Sequence, residues 1–476
     1  MRIVILGAGQ VGASVAESLA SENNDITMVD SDQERLAYLQ DRLDIQTVLG
    51  NAAHPSVLAS AGVEDADLLI AVTQSDQTNL VACKVAHSVF NVPSRIARLR
   101  ASDFVESEKL LAPENFAVDY ALVPEKVITE YIARLVDFPE ALQVLSFAGG
   151  SVVLVGIRAY AGGLLVGSPI KEMRGHLPPE IDGRIAAIYR RDGAITPSGE
   201  TVIEDGDEVF LLAAEEHIRA VMRELRRSVE PVKRVMIAGG GNIGLRVALA
   251  LQARCQVKLI ELDRRRAEHI AGSLKSALVL NGDATDEELL QQEAIDAMDL
   301  FLALTNDDED NIMAASLAKR MGCGRVLALI NRRAYADLVQ GGPIDIAISP
   351  AQVSIGSLLT YVRHGDVAQV HKLRRGAAEA LEVVAHGDRK TSKVVGRRID
   401  ELPHINGAFI AAIVRDLDRH RDVGYRGLLK KKQKGRVLIA HKDVVVETDD
   451  HVIVFCLDKK VVKQVEKLFS VGFHFF

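Results

Sequence analysis

The chain has no tryptophan, and aromatic residues make up 4% of its 476 positions. Surfaces that stack on bases, as single-strand nucleic-acid platforms do, are built on such rings. Positive charge is not in excess either: the formal net charge is −8 at pH 7. Nucleic-acid and anionic-lipid binders rely on a basic field, so composition argues against both. Cysteine is scarce, and Cys83, Cys255, Cys323 and Cys456 lie far apart. No two have the spacing of a zinc or dithiol pair, and scattered thiols in a large chain fit a reducing compartment. No apolar run approaches the ~18 residues of a membrane span. The N-terminus opens on a strand-like run rather than the basic-then-apolar order of a signal peptide. The expectation is a cytoplasmic protein that reaches a membrane only through a partner.

What is present is a repeat. Ile3-Val4-Ile5-Leu6 breaks into Gly7-Ala8-Gly9-Gln10-Val11-Gly12, and Val235-Met236-Ile237-Ala238 breaks into Gly239-Gly240-Gly241-Asn242-Ile243-Gly244. Length alone predicts about three domains of ~150 residues. The repeat refines that to two copies of a domain pair, with an offset constant to within one residue. In each copy short apolar runs alternate with amphipathic stretches, the rhythm of a doubly wound α/β sheet. Pro124 and Pro350 each open one further helix. Past residue 140 the rhythm turns to strands at 152–157, 186–190 and 209–213 between Gly/Pro turns, with a helix at 217–225. The predicted division is a nucleotide-type domain over 1–138, a small α+β module over 139–227, a second nucleotide-type domain over 232–368 and a second module over 369–476. The second module carries a basic hairpin around Lys430–Lys434 that the first lacks. A charge run of this kind is read as solvated surface, or as a contact to a partner or to lipid headgroups.

The glycine pattern has a physical reading. Gly7 and Gly239 permit a tight turn. Gly9 and Gly241 let the backbone approach a pyrophosphate. Gly12 and Gly244 let helix and strand pack closely. The helix N-terminus then offers free N–H groups to phosphate. Ala8, Gln10 and Val11, and Gly240, Asn242 and Ile243, fill the same two turns. Asp30 and Glu261 end the second strands, where a carboxylate can accept ribose hydroxyls. That favours NAD(H) over its 2′-phosphorylated form, while ATP and ADP share the same diol. Thr73-Gln74 and Thr305 follow the fourth strands at the sheet's carboxyl edge. Arg98 can hold phosphate bidentately, and the repeat sets it opposite Ala328. Asn51 stands where the other copy has Asp283. The candidate binding residues are thus Gly7–Gly12, Asp30, Thr73, Gln74, Arg98, Gly239–Gly244, Glu261, Asp283 and Thr305, with no metal-ligand spacing and no catalytic set.

These motifs, with Asn281-Gly282-Asp283-Ala284-Thr285, Gly206-Asp207-Glu208-Val209 and Asp449-Asp450-His451-Val452, resemble the TrkA family along essentially the whole chain. The resemblance implies tandem regulator-of-potassium-conductance domains that bind NAD(H), and also ATP or ADP, without turnover. It implies a homotetramer docked on the inner face of the cell membrane beneath a membrane-embedded Trk-type potassium transporter subunit. Asn51 and the long basic hairpin depart from the family pattern. The competing readings are an NAD-dependent oxidoreductase and a nucleotide sensor of another cation transporter.

Overall fold

The computed structural model describes residues 1–20, 24–191, 193–226, 230–339, 342–362, 367–373, 378–417, 435–457 and 459–470. The basic hairpin around Lys430–Lys434 lies outside the described residues.

The first large sheet contains β1 Arg2–Leu6, β2 Asp25–Asp30, β3 Gln46–Leu49, β4 Leu68–Ala71, β5 Ser94–Arg98 and β6 Tyr120–Leu122. All pair in parallel in the order β3-β2-β1-β4-β5-β6. Its central strands are apolar on both faces, since helices cover each side. The order reverses between β1 and β4, so the crevice past their carboxyl ends is the fold's ligand position. The small sheet that follows contains β7 Ala141–Phe147, β8 Val152–Arg158, β9 Gly183–Arg190, β10 Gly193–Ile195 and β11 Glu208–Ala214. It is antiparallel, in the order β10-β9-β11-β8-β7.

The second half repeats both. β12 Arg234–Ala238, β13 Gln256–Glu261, β14 Leu278–Asn281, β15 Leu300–Ala303, β16 Val326–Leu329 and β17 Ile346–Ile348 form a parallel sheet in the order β14-β13-β12-β15-β16-β17. β18 Val367–Leu373, β19 Ala378–Val384, β20 Ala408–Arg415, β21 Arg436–Ile439 and β22 His451–Cys456 form the second antiparallel sheet, in the order β18-β19-β22-β20-β21. Among the strands that go beyond the sequence reading are β6, β7 and β17. β6 and β17 have only three residues each, too short to show a period. β7 shows no period-two pattern, its polar residues Gln143 and Ser146 lying three apart and Ala141, Val144, Leu145 and Phe147 being buried.

The halves interlock. Helix Pro124–Asp137 ends the first large domain, but it packs on helix Asn242–Leu251 of the second. Helix Pro350–Val362 returns to pack on helix Gln10–Ala20 of the first. Ile128, Ile132 and Leu135 accordingly join one core with Val247 and Leu251, while Ile355, Leu358 and Leu359 join Val11, Val15 and Leu19. The two small sheets pack face to face through Phe147, Leu154, Phe210, Ala380, Ile453 and Phe455. Each large apolar side chain so buried contributes roughly 1.5–3 kcal/mol. The halves therefore share cores rather than touching through a thin interface.

Candidate functional site

The three glycines of each turn play three separable parts. Gly7 has φ +106°, and a Cβ there would stand 2.9 Å from the Thr73 amide nitrogen. A Cβ on Gly12 would stand 1.8 Å from the Gly7 carbonyl oxygen. Around Gly9 nothing lies within 4 Å of that position, so the backbone faces open space. The second turn repeats this: Gly239 has φ +99°, Gly244 would clash with the Gly239 oxygen at 1.9 Å, and Gly241 is open.

The acids do not wait idle for a ribose. Asp30 Oδ2 accepts from the Ala8 amide at 2.5 Å, and Oδ1 from the Asp32 amide at 2.9 Å. Glu261 does the same with Gly240 at 2.8 Å and Asp263 at 2.9 Å. Each carboxylate ties its glycine turn to the next helix, whose N-cap is Asp32 or Asp263. The longer Glu261 fits because its turn carries Gly240 where the first carries Ala8. A Cβ on Gly240 would sit 2.9 Å from Glu261 Oε2. Glu261 is only 5% exposed, whereas Asp30 lines the open cleft.

The carboxyl edges are braced by a triad of which the sequence reading singled out only the threonine. Asn79 Oδ1 accepts from the Thr73 amide at 3.0 Å and from its hydroxyl at 2.7 Å. Asn79 Nδ2 donates to the Arg98 carbonyl at 2.9 Å. Asp76 receives the amides of Arg100 and Ala101, each at 2.9 Å. Asn311 repeats these bonds with Thr305 and with the Leu329 carbonyl, and Asp308 holds the amides of Asn331 and Arg332. Thr73 and Thr305 therefore spend their hydroxyls on the scaffold. The visible signal was the repeated spacing Thr73–Asp76–Asn79 and Thr305–Asp308–Asn311. Asp283 is exposed and bonds within its own turn, accepting from the Thr285 amide and hydroxyl. The shared Asn bond also places Arg98 opposite Leu329, one residue beyond the Ala328 that the repeat indicated.

Both turns open onto one cavity of about 1680 Å³. It is lined from the first domain by Gly7, Ala8, Gly9, Gln10, Val11, Asp30, Thr73, Gln74 and Arg98, and from the second by Gly240, Gly241, Asn242 and Ile243. Gly12, Gly239, Gly244, Glu261, Asp283 and Thr305 are not on its wall. Arginines gather at the first turn. Arg98 Nε is buried with no hydrogen-bond partner. Burial, then the like charge of Arg100, pushes Arg98 below the usual guanidinium range. Arg100 reaches Glu125 only at 3.9 Å. An adjoining recess brings Arg100 together with Arg246 from the second domain. A half-buried guanidinium whose Nε lacks a partner, beside a helix N-terminus, is suited to an anion such as a phosphate. Among the described residues no group of three or more His, Cys, Asp or Glu could hold a metal ion.

Two nucleotide-type domains, each with a small antiparallel module and interlocked around one cleft, define a tandem regulator-of-potassium-conductance fold. Over 98% of its length the chain superposes on the crystal structure of the GsuK RCK domain, covering 94% of that chain with a TM-score of 0.58 at 18% identity. It superposes on the GsuK channel with a TM-score of 0.60 at 20% identity, covering 98% of this chain and 78% of that one. Residues 3–123 and 235–350 match the TrkA-N domain, and residues 154–226 the TrkA-C domain. The chain is 53% identical to the Trk system potassium uptake protein TrkA of Halomonas elongata over 100% of both chains. It is 51% identical to that of Vibrio alginolyticus over 99% of both, and 47% to that of Haemophilus influenzae over 99% of both. The chain belongs to the TrkA family.

Proposed function

We propose that this chain is the nucleotide-responsive regulatory subunit of a Trk potassium uptake system. It binds NAD(H), and ATP or ADP, in the shared cleft, and it gates a membrane-embedded transporter subunit without consuming its ligand. The observation that carries the reading is the single cavity walled by both glycine turns. A ligand there touches two domains joined by exchanged helices, so its binding energy can bias their relative position. Relatives that match this chain end to end carry the name of a potassium uptake system, and the GsuK channel, of the same fold, has been solved bound to NAD. Asp30, Arg98 and the Gly9 backbone take the ligand at the first turn; Gly241 and Asn242 offer the second. The unequal rims, Ala8–Asp30 with Arg98 against Gly240–Glu261 with Leu329, let the two sites prefer different nucleotides. Among the described residues no helix is long and apolar enough to cross a membrane, so attachment to the inner face runs through the partner, with a homotetramer as the assembled form.

Titration calorimetry of the purified chain with NAD, NADH, ADP and ATP tests this reading. Binding at two inequivalent sites, with the nucleotide recovered unchanged, is expected. Oxidation of NADH upon addition of a small carbonyl or amino acid would support the oxidoreductase instead. Binding with a membrane partner that carries another cation would support the alternative sensor.

A further inference from the structure

The face-to-face contact of the two small sheets is mostly apolar; Arg184 crosses it to the Ile410 and Ala440 carbonyls, and a separate polar cluster lies against Ser146–Ala148. There the second sheet presents Gln369 and His371 from β18, Glu382 from β19 and His451 from β22. Glu382 is 2% exposed. Its Oε2 accepts from the Ala148 amide of the first module at 2.7 Å, and its Oε1 meets His451 Nδ1 at 2.6 Å. His371 Nε2 lies 3.1 Å from the Ser146 carbonyl oxygen, and its ring stands edge-on to Phe147. With its amide nitrogen turned to the two acceptors around it, Gln369 donates to Ser146 O at 2.7 Å and to Glu382 Oε2 at 3.3 Å.

The first sheet answers only one member of this cluster: Gln143, opposite Gly156 as Gln369 is opposite Glu382, donates to the Lys372 carbonyl at 2.8 Å. Strand register makes Gly156 the counterpart of Glu382, Leu145 that of His371 and Glu208 that of His451. Glu382 and His371 therefore belong to the second module alone, where the first has Gly156 and Leu145, and burying a carboxylate inside an apolar contact costs stability unless it is paired and hydrogen-bonded.

We propose that Gln369, His371, Glu382 and His451 form a proton-operated latch that holds the second small module on the Ser146–Ala148 edge of the first and loosens on acidification. From its own sheet His371 faces Glu382, with His451 one strand further. From the opposing sheet it meets Ser146 and Phe147, neither of which titrates. Burial lowers its basicity, partly offset by the Ser146 bond and Glu382. A histidine whose folded-state pKa is depressed contributes stability that is full above the free value of about 6.5 and lost as pH falls below it. The His451 bond to Glu382 lies wholly within the second sheet and adds nothing across the contact of the two sheets.

Hydrogen exchange of the full chain, corrected for intrinsic rates, tests this at the peptide that carries the Ala148 amide. Between pH 7.5 and 5.5 its opening should increase about threefold or more, while the β12 peptide shows no change. His371→Gln, which keeps a donor for Ser146, should flatten the profile, and His451→Gln should keep the slope. A flat wild-type profile overturns the proposal, as does an equal slope at β12 or a slope that survives His371→Gln. The wild-type comparison between the two peptides decides the matter even if a variant fails to fold.

Discussion

At the scale of single residues, the glycine turn separates folding from binding. Gly12 and Gly9 sit three positions apart, yet a Cβ would collide with the Gly7 oxygen at the first and meet nothing within 4 Å at the second. Gly12→Ala should cost about 3 kcal/mol or more in chemical denaturation. Gly9→Ala should leave the denaturation midpoint unchanged while lowering affinity for the first-site nucleotide about tenfold or more, because the methyl group occupies the approach path. Equal destabilisation by both would show that the open space at Gly9 is not a ligand path. Arg98 gives a second test. Its Nε is buried without a partner, so the free protein bears a desolvation cost that a bound phosphate would relieve. Arg98→Met should leave stability equal or higher and weaken nucleotide binding about tenfold. A loss of stability with unchanged binding would assign the arginine to the scaffold.

At the scale of elements, the braces at the carboxyl edges should behave as twins. Asn79 and Asn311 are both fully buried and make matching bonds to Thr73 and Thr305. Asn79→Ala or Asn311→Ala should each cost about 2–4 kcal/mol, since each strands backbone groups without partners. Calorimetric melting of the two variants would show whether the losses match. The elements also show how far sequence reaches. The glycine turns and the helices opened by Pro124 and Pro350 were legible, because each is fixed by a few neighbouring residues. What helix Pro124–Asp137 packs against was not. Ile128 and Ile132 show the same periodicity whether they cover their own sheet or helix Asn242–Leu251 of the other half. The site divides in the same way. Gly9, Gly241 and Arg98 were found by local pattern. The hydrogen bonds that occupy Asp30, Glu261 and Thr73, and the approach of Arg246 to Arg100, depend on residues brought from elsewhere in the chain.

At the scale of the whole molecule, the exchanged helices make the two halves one mechanical unit. Ile132 is fully buried in a core shared with Val247 and Leu251. Ile132→Ala should cost about 2–5 kcal/mol and should also weaken the thermodynamic coupling between the two nucleotide sites, read as the change in second-site affinity when the first is filled. Coupling that survives this loss of packing would place the communication elsewhere. The central claim is that occupancy of the shared cleft sets transporter activity. Its most direct test is potassium flux through the partner subunit reconstituted in vesicles with this chain, with NADH, ADP and ATP added in turn. The account predicts flux that changes with the nucleotide added, and that ignores nucleotide in the Gly9→Ala/Gly241→Ala double variant although this variant still folds and docks. Flux that stays the same with every nucleotide, or that still responds in the double variant, would contradict it.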